Sequence, residues 1–318
     1  MKLTLSKSRT KVNTKAKKQS IWSEYKKHKL LLLMLLPGLI WYLIFYYGPL
    51  YGIQIAFKNY RIADGITGSE WVGLDHFIRM FSTDGFTEIL GNTLIISFYH
   101  ILFGFTAPII LALLLNEIRS NVFKRVSQSI SYLPHFFSWV ILGGILDVLL
   151  SPTNGVVNHL IQLIGLDPIY FLGDPKYFRF TLVTSAIWKE IGWGTIIYLA
   201  ALSSVDSHLY EAAIVDGANR WKQTLHITIP SIMPVIAILF ILRIGNILDA
   251  GFDQVLNLYN PAVYSVGDII DTYVYRVGIN GMQYSYTTAV GLFKNVVGFT
   301  MILIANYAIK KSGQEGLF

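Results

Sequence analysis

Residues 210–248 read YEAAIVDGANRWKQTLHITIPSIMPVIAILFILRIGNIL and contain a polar part followed by an apolar part. A helix needs roughly 20 apolar residues to cross the hydrocarbon of a bilayer, and the apolar part from Ile227 to Leu248 is long enough. Glu211 to Val215 favours helix, and Gly217 permits a left-handed stop. The stretch therefore predicts a helix–turn–helix that lies on a membrane face just before a spanning helix.

The ends of the two predicted helices follow from local chemistry. Glu211 is expected in the first turn of the first helix, where the helix dipole favours a negative charge. Residues 218–226 could form a second short helix. Pro230 lacks a backbone N–H, so it is expected near the start of a new helix, the spanning one.

The composition of the whole chain also indicates a membrane protein. Of 318 residues, 53% are hydrophobic and 14% are charged, whereas soluble domains are usually about 25% charged. Because the chain has no cysteine, disulfides, thiol catalysis and cysteine metal sites are excluded.

Six stretches are apolar enough to be spanning helices, with boundaries uncertain by about four residues. They are approximately residues 30–50, 92–115, 129–150, 180–202, 227–248 and 287–309. Spans four, five and six each contain charged residues, so their assignment depends on flanking sequence as well as on hydropathy.

The distribution of lysine and arginine predicts the orientation. With six spans both termini share one side, which carries seventeen of the 26 basic residues against six on the other side. Ten of the seventeen precede the first apolar run. By the positive-inside rule, both termini are expected in the cytoplasm.

The predicted segments give an expected domain organisation. Residues 1–29 are a basic cytoplasmic tail, 30–90 hold the first transmembrane helix and an outer loop, 91–311 form the membrane core with residues 205–228 on its cytoplasmic face, and 312–318 are a C-terminal tail. Residues 151–177 are expected outside, with an apolar-patterned piece near 156–164 that fits an interfacial helix. Residues 251–286, also outside, hold six tyrosines that predict an aromatic belt or a docking surface.

The polar stretch resembles a known motif. Its matching residues are Glu211, Ala212, Ala213, Gly217, Ile227 and Pro230. At this spacing they resemble the cytoplasmic signature of binding-protein-dependent ABC importer permeases, with Ile229 where leucine is usual. An ordinary amphipathic loop helix is the alternative, and the joint spacing and position weigh against it.

The resemblance implies an all-α integral membrane protein with about six transmembrane helices and the type I ABC importer permease fold. It implies a coupling helix within 205–228 that sits in a cleft of a nucleotide-binding subunit. The residues it assigns to coupling are Glu211, Ala212, Ala213, Asp216, Gly217 and Arg220. It also implies a second, homologous permease, an extracytoplasmic solute-binding protein and a bacterial cytoplasmic membrane location.

Further segments resemble the carbohydrate, maltose-type branch of these permeases, and within it the LplB-like permeases for oligo- and polysaccharides. The segments are 216–218 with Trp221 and His226, 251–254, 260–264, 271–276, 284–286 and 289–293. The resemblance covers residue 30 to the end and implies a saccharide substrate.

Polar residues inside spans are costly, about 3 kcal/mol for a charge on insertion scales, and each suggests a role. Arg243, Asn246 and Asp249 are spaced by three, which predicts one helix side. They could face a sugar path, or Arg243 and Asp249 could be a structural pair. The candidate path residues are Asn246, Asp249, Phe252, Asp253, Trp193 and Lys294.

Other polar features of the spans have simpler interpretations. His100 and His135 suggest hydrogen-bonded packing rather than metal binding. Gly143-Gly144 and Gly192-x-Gly194 suggest close helix contacts. Lys189 and Glu190 are adjacent on a helix and are not expected to pair with each other.

The sequence excludes several enzyme classes. It has no G-x-x-x-x-G-K-[ST], so ATP and Mg²⁺ are expected on a partner ATPase and no cofactor on this chain. It has no H-E-x-x-H and no G-x-S-x-G. A secondary transporter driven by an ion gradient is the competing hypothesis, although no internal repeat typical of such folds is evident.

Overall fold

The computed structural model describes residues 29–313 and 316–317. The predicted basic tail, except Lys29, and part of the C-terminal tail lie outside these residues. The chain divides into two compact units, residues 1–53 and 54–318. In the first unit, residues 29–51 form one apolar helical segment that is exposed throughout.

Most of the described residues are helical. The first seven helical segments are α1 (Lys29–Phe57), α2 (Gly65–Gly68), α3 (Asp75–Ser82), α4 (Phe86–Glu117), α5 (Asn121–Phe136), α6 (Trp139–Leu150) and α7 (Val156–Leu163). The other seven are α8 (Pro175–Ser203), α9 (Ser207–Val215), α10 (Arg220–Gly245), α11 (Phe252–Leu258), α12 (Tyr264–Gly267), α13 (Ile270–Val274) and α14 (Tyr284–Lys311). A π-helical turn, Tyr275–Asn280, extends α13. Two short antiparallel strands, β1 (Lys58–Asn59) and β2 (Glu70–Trp71), pair with Lys58 opposite Trp71.

Four helices of the described chain are long and apolar enough to cross a membrane: α1, α4, α10 and α14. They contain the predicted first, second, fifth and sixth spans. The helix that contains the fourth, α8, is 29 residues long. It is more polar, with charges at Lys176, Arg179, Lys189 and Glu190, and is not among the four. The count of six spans therefore stays a prediction.

The predicted third span, 129–150, is wrong as a single straight helix. It is divided between α5 and α6, which meet at 105°. Ser138 has extended backbone and its hydroxyl accepts from the N–H of Ile141, so it caps a new helix. Lys189 of α8 donates to the carbonyls of His135 (2.8 Å) and Phe137 (3.0 Å), which satisfies backbone oxygens at the break.

The fifth span also differs from its prediction. Pro230 is the second residue of the α-helical part Ile229–Gly245, near a helix start as predicted. The helix nevertheless continues backwards from it through a π-helical turn, Thr224–Thr228, to Arg220. The helix then ends at Gly245, and Asn246 to Leu248 form a turn. Asp249 therefore lies beyond the helix, and the prediction of one common helix side is wrong.

Close helix contacts organise the core, as the glycine pairs predicted. A Cβ on Gly192 would overlap the backbone carbonyl of Ser131, and one on Gly298 of α14 would lie 2.7 Å from the carbonyl oxygen of Gly245. A Cβ on Gly143 would lie 3.3 Å from the backbone oxygen of Asn257, whereas one on Gly144 would meet nothing within 4 Å. Small residues let helix backbones approach, which is how helices associate in a bilayer.

The segment 251–286 is not a simple aromatic belt. Tyr286 is 1% exposed and belongs to a core cluster with Phe86 and Ile270. Its hydroxyl lies 3.1 Å from that of Tyr273. At least these tyrosines pack inside the protein, because α13 folds back against α14 and α4.

Candidate functional site

The predicted coupling segment, residues 205–228, forms the expected helix–turn–helix. Asp206 caps α9 by accepting from the N–H of His208 at 2.9 Å. The sequence predicts Glu211 in the first turn of α9, but the helix starts at Ser207 and Glu211 lies beyond that turn. Its carboxylate is 3.4 Å from His208. Gly217 has φ +74°, so it makes the left-handed turn that the sequence predicted.

Side-chain hydrogen bonds hold this segment together. The hydroxyls of Tyr210 and Thr228 lie 3.0 Å apart, and the buried Gln223 amide donates to the carbonyl of Ala218 at 2.8 Å. These bonds join α9 to the start of α10. The sequence gave no pattern for these contacts, although Asp206 before a helix is a recognisable cap.

One face of residues 205–228 points away from the rest of the chain and is exposed. Its exposed side chains include Val215 at 87% exposure, Trp221 at 69% exposure and Glu211. Arg220, predicted as a coupling residue, lies 3.6 Å from Glu117 at the end of α4. Ala212, Asp216 and Gly217 are also exposed, and Ala213 is half-buried.

The predicted path residues gather around the other end of α10. A cleft of about 480 Å³, here called the Arg243 cleft, lies among α4, α8 and α10. Its lining includes His100, Glu190, Trp193, Arg243 and Asn246. Two of the predicted residues, Trp193 and Asn246, are thus brought to one cavity.

A second cleft of about 380 Å³, the Lys294 cleft, lies between α10 and α14. Asn246, Asp249 and Lys294 line it, so Asn246 belongs to both clefts. Phe252 lies outside both linings and packs near Tyr275, with ring centroids 5.8 Å apart, and Asp253 is exposed on α11.

Several charged groups have partners that the sequence did not predict. Lys294 donates to both carboxylate oxygens of Asp271, at 2.6 and 2.7 Å. Glu190 approaches its neighbour Lys189 at 3.7 Å, so the expectation that they do not pair is wrong. Glu190 also contacts His135 at 2.9 Å, and that imidazole stacks on Trp193 at 4.4 Å.

The two histidines differ in their surroundings. His135 is hydrogen-bonded, as predicted, whereas the buried Nε2 of His100 has no partner among the described residues. No cluster of three potential metal ligands occurs in the described part of the chain.

A salt bridge and a network stabilise the predicted outer side. Arg276 donates to Asp268 at 3.0 and 2.5 Å, and these hydrogen bonds raise the pKa of Arg276 above its usual value. Arg179 donates to Asn92 at 2.7 Å and to the carbonyl of Val266 at 3.1 Å. The ends of α4, α8 and α12 are held together in this way.

Comparison with known proteins agrees with this architecture. The family model of the binding-protein-dependent transport system inner membrane component matches residues 104–311. Protein LplB of Bacillus subtilis (strain 168) is 50% identical over 307 residues, which is 96% of each chain. The polygalacturonan/rhamnogalacturonan transport system permease protein YteP of the same organism is 47% identical over 304 residues, 96% of this chain and 95% of the relative.

A solved structure matches over nearly the whole chain. It is a chain of the bacterial alginate ABC transporter in complex with an alginate pentasaccharide-bound periplasmic protein. The TM-score is 0.87 at 43% identity, covering 94% of this chain and 100% of that one. The chain is thus an all-α, multi-pass membrane permease, and it belongs to the family of binding-protein-dependent transport system inner membrane components.

Proposed function

We propose that the chain is the membrane-spanning permease subunit of an ATP-driven importer of oligosaccharides. It forms the translocation path with a second, homologous permease and couples to ATPase subunits through residues 205–228. A solute-binding protein delivers the saccharide from outside. The names of the relatives support a saccharide: one transports polygalacturonan or rhamnogalacturonan, and the matched structure is an alginate transporter.

The observation that carries this proposal is the continuity of α10. It starts at Arg220, within the coupling segment, and ends at Gly245, beside both clefts. At 1.5 Å per residue its 26 residues extend about 39 Å. A movement of the coupling segment would therefore reach Arg243 and Asn246 through a single helix.

The exposed face of the coupling segment is suited to a partner. Val215 and Trp221 are large apolar side chains that this short segment leaves 87% and 69% exposed, which suits them to burial against a partner. Trp221 is of a type enriched at binding hot spots. The Tyr210–Thr228 and Gln223–Ala218 hydrogen bonds keep the segment rigid, so a push on α9 would move α10.

The mechanism follows from these parts. ATP and Mg²⁺ bind on the partner ATPase subunits, whose closure displaces the coupling segments of both permeases. The helices then change the access of the clefts from one membrane face to the other. The saccharide leaves the binding protein and passes between the permeases, with this chain performing no covalent chemistry.

Charge reversal at Glu211 tests the coupling assignment. We expect Glu211→Lys to lower ATP-driven saccharide uptake on the order of tenfold, because it places a like charge against a basic partner group. Uptake and binding-protein-stimulated ATP hydrolysis would be measured in proteoliposomes that contain the complete complex.

The matched control is Glu70→Lys, the same charge change at an exposed glutamate of β2 on the predicted opposite side. This control should keep the stimulation of ATP hydrolysis. Normal assembly, stimulation and uptake in Glu211→Lys would show that this glutamate does not couple to the ATPase.

A further inference from the structure

We infer that the Arg243 cleft selects anionic saccharides, with Arg243 as the residue that binds a carboxylate group of the sugar. This inference rests on the proposed function, since it concerns the substrate of the same path. Beyond that function, the substrate is then negatively charged and Arg243 binds this charge.

The side chain of Arg243 is unusual among the half-buried and buried cations of the core. Lys189 donates to two carbonyls, Arg179 to an amide and a carbonyl, Arg276 to Asp268 and Lys294 to Asp271. The guanidinium of Arg243 has no hydrogen bond and no carboxylate within 4 Å among residues 29–313 and 316–317, although Asp249 and Glu190 act on its charge from farther away. The five N–H groups of this guanidinium can therefore donate hydrogen bonds to a ligand that enters the cleft.

The guanidinium of Arg243 lies within a spanning helix and has no direct partner among the described residues, so its presence there needs a physical reason. A charge inside a bilayer is costly, and charges that persist there face the bundle interior and mark substrate pathways. Arg243 is two residues from the end of α10 and lines the cleft wall. A planar guanidinium matches a carboxylate in two parallel hydrogen bonds, which is the chemistry of an acidic sugar.

The two carboxylates that act electrostatically on Arg243, Glu190 and Asp249, make their direct contacts with other groups. Glu190, which also lines the cleft, contacts His135 at 2.9 Å and Lys189 at 3.7 Å. Asp249, beyond the helix end, accepts from the N–H of Gly251 at 3.2 Å. The charge of Arg243 is therefore not neutralised by a direct contact with either group.

Other groups of the same cleft can bind the rest of a sugar. His100 also lines the cleft, but its Nε2 is buried and finds no partner among the described residues, so it is not counted as a sugar ligand. Asn246 donates its amide N–H to the carbonyl of Leu242 at 3.0 Å, which leaves its side-chain oxygen able to accept from a hydroxyl. Trp193 is 46% exposed and offers an indole that can pack on a sugar ring.

The test compares two substrates of equal length in the complete importer. One is a tetrasaccharide of a hexuronic acid, and the other is the same tetrasaccharide with its carboxyl groups methyl-esterified. The ratio of kcat/KM for acid over ester is measured in proteoliposomes with the same binding protein. Saturable binding of both sugars to the purified complex without binding protein gives a second ratio that does not depend on delivery.

We expect Arg243→Gln to lower both acid-over-ester ratios by about tenfold or more, because a charge-assisted hydrogen bond is lost. Arg243→Lys keeps the charge but not the paired geometry, so its ratios should lie between those of the wild type and Arg243→Gln. An unchanged ratio in Arg243→Gln would overturn the inference. So would failure of Arg243→Gln to assemble with the second permease, because the arginine would then be a subunit contact.

Failure of the proposed function would look different. In that case the wild-type complex would take up no oligosaccharide with ATP, charged or neutral, whereas ATP-driven uptake of neutral oligosaccharides alone would overturn only the inference about Arg243. An unchanged ratio in a complex that does transport saccharide contradicts only the role of Arg243.

Discussion

At the scale of single residues, partners determine what the intramembrane charges do. Lys294 lies in the predicted path, but its ammonium group is held by both oxygens of Asp271, 23 residues earlier. Both side chains are less than a quarter exposed. A pair this well shielded is costly to break, because removing one member leaves the other charge unsatisfied.

A double-mutant cycle measures this pair. We expect Lys294→Ala and Asp271→Ala each to lower the free energy of unfolding by about 1–3 kcal/mol, and the double variant to lose less than the sum. Thermal melting of the detergent-solubilised chain would be followed, with the exposed Arg119→Ala as a control that should melt near the wild type. Additive losses would mean that the two residues do not stabilise each other.

Sequence reasoning located such charged residues but not their partners. Hydropathy identifies a lysine within an apolar run, as at Lys189 and Lys294. Their partners lie at the break between α5 and α6 and on α13, and helical spacing within one element contains no information about these contacts. The lack of a side-chain partner for Arg243 among the described residues could not be predicted for the same reason. It depends on the cleft that forms where α4, α8 and α10 meet.

At the scale of elements, two helices depart from the straight spans that hydropathy suggests. In α10 the absence of an N–H at Pro230 predicts a helix start, but the π-helical turn at Thr224–Thr228 keeps the helix continuous. Between α5 and α6 the chain bends by 105° where the sequence is apolar on both sides. Apolar length alone cannot detect this bend, whereas the turn at Gly217 was predictable because only a few residues tolerate its φ angle.

The close contact of α8 with α5 requires a residue without a side chain, which is Gly192. We expect Gly192→Ala to destabilise the protein by about 1–3 kcal/mol, because its Cβ would overlap the backbone carbonyl of Ser131 and force the helices apart. Thermal melting in detergent checks this.

Gly144→Ala is the matched control, since it adds the same Cβ within a helix and nothing lies within 4 Å of that atom. It should melt at or slightly above the wild-type temperature, because alanine favours helix over glycine. Equal behaviour of the two variants would contradict close packing at Gly192.

At the scale of the whole molecule, the chain connects two kinds of surface. The coupling segment is open at one end of α10, and two clefts with polar linings lie at the other end. The fold class and the helix–turn–helix of residues 205–228 were predictable, because long apolar runs and a spaced motif are local signals. The clefts were predicted only in part, since Trp193, Asn246, Asp249 and Lys294 line them but Phe252 does not.

The central claim is that this chain works as one permease of an ATP-driven importer. The most direct measurement is saccharide uptake into proteoliposomes that contain this chain, the second permease and the ATPase subunits, with the binding protein outside. We predict uptake only when ATP is present inside and the binding protein is present, and no uptake when the ATPase is omitted. Uptake by this chain without the ATPase, driven by an ion gradient, would contradict the account and identify a secondary transporter.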